Sequence, residues 1–157
     1  MKPLPTDFKD LIHCFNSNNV RYLLVGGWAV GVHGSPRATK DIDFLVAADD
    51  DNLANLQKAL LAFNSPPIDM ESFKEKGSVI RMGSSPTQVD IINDADGIDM
   101  EECYPRKETI HIDGIDIFVI SKNDLIKNKK ASGRIMDIAD AAKLEKHTIK
   151  ENNELKL

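Results

Sequence analysis

The stretch from Tyr22 to Val46, YLLVGGWAVGVHGSPRATKDIDFLV, constrains this chain more than any other. Tyr22 to Val25 is a short apolar run that meets Gly26-Gly27, which predicts a buried strand closed by a tight turn. A short helix is expected from Trp28, then a loop, then a second strand that carries Asp41 and Asp43. Side chains alternate across a strand, so Asp41 and Asp43 share one face while Ile42 and Phe44 take the other. Two carboxylates about 7 Å apart along a strand are poor core material, because burying an unpaired charge is costly. They suit a hard divalent cation, whose preferred ligands are carboxylate oxygens. The paired glycines, lacking Cβ, let a ligand approach the backbone, with the amides that open the next helix pointing at it. One side of this stretch attracts phosphate and the other attracts magnesium, which implies a nucleotide site.

A third carboxylate sits further on. Ser78 to Met82 and Thr87 to Ile92 are two expected strands joined at Gly83-Ser84-Ser85-Pro86. In the second, Asp90 interrupts an otherwise apolar run. Taken alone it is equally an edge-strand carboxylate facing water; the upstream pair makes it a candidate ligand.

The other elements follow from periodicity. Phe8, Leu11, Ile12 and Phe15 form a helix stripe opening near Thr6, and Cys14 beside it is structural rather than nucleophilic. Asp49-Asp50-Asp51 leads into a helix through Leu53, Leu56, Leu60 and Leu61, where acidic residues cap and complement the helix start. Ile98 to Arg106 is a candidate short helix. Asp113-Gly114, flanked by Ile110–Ile112 and Ile115–Ile120, signals a type I′ hairpin, with His111 on its outer side. Ser121-x-x-Asp124 is a capping box for a helix with Leu125 and Ile126 inward. A last helix is expected from about Ile135 to Lys146, and residues 150–157 show no pattern and are expected to fray. Trp28, following a turn, is a core residue rather than a base-stacking platform.

These elements, with a strand–helix–strand opening and later strands joined by short turns, predict an α+β fold. A mixed, twisted sheet of about four to five strands is expected, flanked by helices packed mainly on one face. The 157 residues suffice for one domain with its own core, expected over residues 1–157 with its heart at about 20–147. A net charge of −5 argues against an extended nucleic-acid partner, which wants a basic face, but not against one nucleotide held through metal. The N-terminus lacks the apolar core of a signal peptide, and no apolar run approaches spanning length. Two cysteines without zinc spacing point to a reduced, cytoplasmic protein.

Val25-Gly26-Gly27, Asp41-Ile42-Asp43-Phe44 and Val89-Asp90-Ile91, in that order and spacing, resemble the signature of the DNA-polymerase-β-type nucleotidyltransferase superfamily. The Arg37-x-Thr39-x-Asp41-x-Asp43 form, with Asp124-Leu125-Ile126, Lys129, Gly133-Arg134 and Asp137, is similar to the small stand-alone bacterial members, which include antitoxin and abortive-infection proteins. The resemblance implies a nucleotidyltransferase fold and metal-dependent transfer of a nucleoside monophosphate from a nucleoside triphosphate to a hydroxyl, with release of pyrophosphate. Asp41, Asp43 and Asp90 would be catalytic and would hold two Mg²⁺ ions, Asp41 and Asp43 bridging both and Asp90 serving the ion nearest the acceptor. Gly26 and Gly27 would cradle the phosphates. Arg37 and Lys40 are candidates for triphosphate contact or surface cations. Lys129 is the better phosphate candidate in the Lys127–Arg134 run, whose bland reading is a solvated basic face, with Arg134 and Asp137 paired at i and i+3. The acceptor is either a small molecule, such as an antibiotic, or a macromolecule such as a tRNA end or a toxin-like protein partner. The rival reading is a catalytically silent, antitoxin-like partner-binding module of the same fold.

Overall fold

The structure is a computed structural model that describes residues 4–35 and 41–155. Helix α1 (Thr6–Ser17) comes first, followed by strand β1 (Tyr22–Val25), helix α2 (Gly26–Val32), strand β2 (Ile42–Val46) and helix α3 (Asp50–Ala62). A one-turn helix α4 (Met70–Phe73) precedes the hairpin of β3 (Val79–Met82) and β4 (Val89–Ile92). Helix α5 (Met100–Cys103) runs into a 3-10 turn, then come strands β5 (Glu108–Ile112) and β6 (Ile115–Val119) and helices α6 (Lys122–Ser132) and α7 (Ile135–Leu155).

All six strands form one sheet in the order β3-β4-β2-β1-β6-β5. It is mixed: β2 pairs parallel with β4 and β6 parallel with β1, while β1–β2 and the two hairpins are antiparallel. The strand count exceeds the expected four to five because the Asp113-Gly114 hairpin does not stand apart. Its strand β6 docks on β1, with Ile120 N–H donating to Leu24 C=O at 3.1 Å. Asp113 and Gly114 have φ of 52° and 83°, the left-handed pair that a type I′ turn requires. All four β1 residues are buried, so the sheet centre is covered on both faces rather than mainly on one.

The α1 stripe packs as its spacing demands: Phe8, Leu11, Ile12 and Phe15 are all buried. Phe15 meets Tyr22 and Phe44 with ring centroids 5.2 Å apart in each case, an aromatic cluster on the face of β1 and β2 that turns away from Asp43. Trp28 is buried edge-on against Phe8 at 6.1 Å, a core residue as expected. Asp49 caps α3 by accepting from Asn52 N–H at 2.9 Å. Buried Asn52 then ties the strand ends together, donating to Ala47 C=O and accepting from Arg21 N–H, both at 2.7 Å. Ser121 caps α6, accepting from Asp124 N–H at 3.2 Å. The Asp124 carboxylate does not complete the box; Arg106 takes it with two bonds of 3.0 Å.

Three boundaries differ from expectation. Helix α2 opens at Gly26, not Trp28. Residues 98–106 supply only one helical turn and a 3-10 turn. Helix α7 runs to Leu155, so the backbone of 150–155 is helical where a frayed tail was expected; with no proline or glycine after Gly133, nothing there stops helix propagation. Among the described residues no helix is long and apolar enough to cross a membrane.

Candidate active site

Strand β2 builds the centre of the site. Its parallel register with β4 sets Asp43 beside Asp90 and Phe44 beside Ile91, so the two carboxylates share a face at the strand spacing of about 4.8 Å. Asp41 directly precedes β2, one residue outside the strand that was expected to carry it, and its charge is felt at Asp43. Asp43 and Asp90 are thus direct neighbours, with Asp41 close by in the chain.

Gly26 fits against the same group. Its φ is +68°, and a Cβ there would collide with the Asp43 carboxylate. Two independent requirements therefore call for glycine: a left-handed backbone and a carboxylate where a side chain would sit. Gly27 is buried in the first turn of α2. Arg37 and Lys40 lie outside the described residues.

Burial and the negative charge of Asp90, with a smaller push from Asp41, raise the Asp43 carboxyl to about 6, against the opposing pull of Lys129 and Arg134. Such crowding is the electrostatic condition that a hard cation relieves, and the donor set is oxygen throughout. In this conformation, however, among the described residues no three acidic, histidine or cysteine side chains converge as a ligand group. The reason is visible in the partners. Arg81 grips Asp90 with two bonds of 2.9 and 3.3 Å, and Gln88 donates to the same carboxylate at 3.2 Å. Ser85 Oγ donates to Asp41 at 3.1 Å. The carboxylate oxygens fit Mg²⁺ in chemistry, though not in the arrangement that these partners hold.

A cleft of about 310 Å³ opens in front of Asp43, lined by Gly26, Asp94, Asp96, Lys129 and Arg134 among others. Lys129 reaches it from α6, but it is only 5% exposed. Its ammonium donates to Asp137 at 2.8 Å and lies 3.3 Å from Asp140, both on α7. Burial alone would raise the Asp137 carboxyl; hydrogen bonds from Lys129, Ser132 and Arg134 hold it down at about 2. The Lys127–Arg134 run is therefore not uniformly a solvated face: Lys127 and Lys130 are exposed, while Lys129 is buried and lines the same cleft as Asp43. Arg134 and Asp137 do pair at i and i+3, at 2.9 Å.

Sequence reasoning missed Arg81, Ser85 and Asp140. The first was not within reach: a turn at residues 83–86 would set Val79 opposite Asp90, whereas the hairpin pairs Met82 with Val89 and so sets Arg81 there. Cys14 and Cys103 are free thiols that burial pushes up from the ordinary thiol range, which suits structural roles. His111 is exposed and pairs with Asp116 at 2.9 Å.

Solved structures share this fold. A nucleotidyltransferase-like antigenic protein of Paracoccidioides brasiliensis is 18% identical, with a TM-score of 0.52 over 91% of this chain and 78% of that one. A candidate nucleotidyltransferase of Thermotoga maritima is 16% identical, with a TM-score of 0.54 over 91% of both chains. A lincosamide antibiotic adenylyltransferase, solved with lincomycin bound, is 17% identical, with a TM-score of 0.53 over 92% of this chain and 98% of that one. A comparison with curated proteins found no match. The family model for a nucleotidyltransferase of unknown function (DUF6036) matches residues 6–151, a span that takes in the glycine pair, all three carboxylates and the Lys129–Asp137 network, and the chain belongs to that family.

Proposed function

We propose that this protein transfers a nucleoside monophosphate from a nucleoside triphosphate to an acceptor hydroxyl. The observation that carries the reading is the pairing of Asp43 beside Asp90, with Asp41 two residues before Asp43 and side-chain-free Gly26 against it, where Gly26 and Asp43 line a cleft large enough for part of a nucleotide. The acceptor oxygen forms a bond to the α-phosphorus, the bond to the β-phosphate oxygen breaks, and pyrophosphate leaves; the hydroxyl proton passes to solvent or a carboxylate. Charge spreads over phosphoryl oxygens, so positioning and electrostatics dominate. Asp41, Asp43 and Asp90 are the residues that would hold Mg²⁺, as two ions on this reading, and the metal supplies neutralisation of that charge. Gly26 and Gly27 let the phosphates approach the backbone. Lys129, held in place by Asp137 and Asp140, sets a fixed positive charge across the cleft from Asp43.

The silent-module reading is weaker on energetic grounds. A carboxyl raised to about 6 by burial and by other carboxylates destabilises the metal-free fold at neutral pH, a cost that contact-only binding does not need. The test is pyrophosphate release from ATP, GTP, CTP and UTP with magnesium and candidate acceptors. Release with a nucleotide adduct on the acceptor is the expected result. A protein that neither binds any of the four by calorimetry with magnesium nor releases pyrophosphate would sink the reading.

The lincosamide adenylyltransferase acts on an antibiotic within a chain of similar extent, which supports a small-molecule acceptor. A second reading, a protein acceptor or partner, has its own observation. Helix α7 buries Ala141 and Leu144 in the usual way, but its first turns put Asp137 and Asp140 inward and leave Ile135, Met136 and Ile138 90%, 59% and 52% exposed, the reverse of an ordinary amphipathic pattern. Exposed apolar patches of this kind mark contact surfaces, and this one adjoins the cleft through Arg134 and Asp137. Ile135→Asp should abolish transfer to a protein acceptor and leave transfer to a small molecule unchanged; equal transfer to the protein would rule the patch out.

A further inference from the structure

We propose that Arg81 is the resident counter-ion of the carboxylate cluster: it holds Asp90 in the metal-free protein and must release it before a divalent cation can bind. The inference rests on the metal reading above and goes beyond it, since Arg81 belongs to neither the glycine pair nor the carboxylate set.

The geometry is that of a latch. Arg81 is directly opposite Asp90 in the β3–β4 register, and its guanidinium engages both carboxylate oxygens, at 2.9 and 3.3 Å. The fork matches a carboxylate as a point charge does not. The Asp90 side chain is 16% exposed, whereas that of Arg81 is 62% exposed. Strand β3 is the edge of the sheet, so the arginine can swing into solvent without disturbing the core. The hydrogen bonds and charge of Asp90, with smaller contributions from Asp41 and Asp43, push the Arg81 guanidinium further up. Ser85, from the turn of the same hairpin, occupies Asp41. The β3–β4 hairpin therefore satisfies two of the three carboxylates, and Asp43 is the one left carrying the raised proton affinity.

A guanidinium and a divalent cation cannot share Asp90 without repulsion, so each displaces the other. The exchange has a defined consequence: metal affinity measured without nucleotide is weakened by the free energy of the arginine pair. Deleting the guanidinium should tighten metal binding, whereas deleting a phosphate contact should not.

The experiment titrates the full-length protein with Mn²⁺ in the absence of nucleotide, read by electron paramagnetic resonance and calorimetry, for wild type, Arg81→Gln, Arg81→Lys and Asp43→Asn. Arg81→Gln should bind Mn²⁺ more tightly by up to about fivefold, the factor expected of an exposed ion pair, with Arg81→Lys between it and wild type. In chelator Arg81→Gln should melt below wild type, and saturating Mn²⁺ should close that gap. Equal or weaker Mn²⁺ affinity in Arg81→Gln overturns the latch. So does a loss of nucleotide affinity with Mn²⁺ affinity unchanged, which would make Arg81 a phosphate contact. Asp43→Asn separates the two layers of argument: if it loses Mn²⁺ while Arg81→Gln matches wild type, the metal site stands and only the latch fails. If it binds Mn²⁺ like wild type, the site itself fails and the latch with it. Should Arg81→Gln not fold, the Arg81→Lys comparison decides.

Discussion

The two faces of strand β2 obey opposite rules although their residues alternate along five positions. On one face Phe44 joins Phe15 and Tyr22 in an aromatic cluster with centroids 5.2 to 5.7 Å apart, and Ile42 and Val46 are fully buried. On the other, Asp43 stands beside Asp90 and below Gly26. The first face is favourable at every residue, through area removed from water. On the second, Leu45 is buried and favourable in the same way, whereas Asp43 carries a cost through desolvation and like charge. The contrast explains how a half-buried carboxylate is tolerated next to the core: the aromatic side supplies the rigidity against which the acidic side is held.

The widest separation between the faces should come from activity. Asp43→Asn is expected to fold normally and to lower nucleotidyl transfer on the order of a thousandfold, the scale for losing one electrostatic contact to a transition state, measured as pyrophosphate release. Phe44→Ala should do the reverse, costing about 3–5 kcal/mol of stability through cavity formation in denaturant titration, with residual activity in the molecules that remain folded. A Phe44→Ala protein as stable as wild type would break the comparison.

A pH titration of stability sharpens it. The Asp43 carboxyl is raised to about 6 in the folded protein, so the folded state holds that proton more tightly than the unfolded chain does. Its contribution favours folding fully below about pH 4, fades as pH rises through about 6, and then levels off. In chelator the loss is on the order of 3 kcal/mol, and Asp43→Asn should remove it; magnesium with nucleotide should remove it too. A flat profile for the wild type between pH 4 and 6 would show that the acids do not crowd.

The smallest expected difference lies between two glycines of similar backbone. Gly26 and Gly133 have φ of +68° and +71°, so alanine at either costs about 1 kcal/mol in backbone strain. At Gly133, the left-handed cap of α6, a Cβ meets nothing, and the cost should stop there with activity intact. At Gly26 the Cβ strikes the Asp43 carboxylate, so Gly26→Ala should also weaken magnesium-dependent nucleotide binding by calorimetry. Equal binding in the two variants would remove Gly26 from the site.

Much of this was legible from local pattern. The α1 stripe, the Asp49 and Ser121 caps and the Asp113-Gly114 turn all follow from interactions that span a few residues, where periodicity and backbone preference decide. From local pattern Asp90 was legible only as a charge in an apolar strand; its grouping with Asp43 was what the family resemblance implied, and the β2–β4 pairing sets the two side by side. The full extent of α7 escaped because a helix needs no apolar pattern to continue once packing has nucleated it.

The sequence by itself determined the α+β class, the strand–glycine–helix–strand unit and the identity of the acids available to a metal. Only the tertiary structure decided that β4 lies parallel beside β2, bringing Asp90 to Asp43, and that Arg81 already occupies Asp90. It also decided that Lys129 is buried between Asp137 and Asp140. The physical reason is range. Propensity, capping and alternation act between near neighbours in the chain, whereas a carboxylate's proton affinity and partner depend on which charges the fold brings within a few ångströms, from residues some forty to ninety positions away.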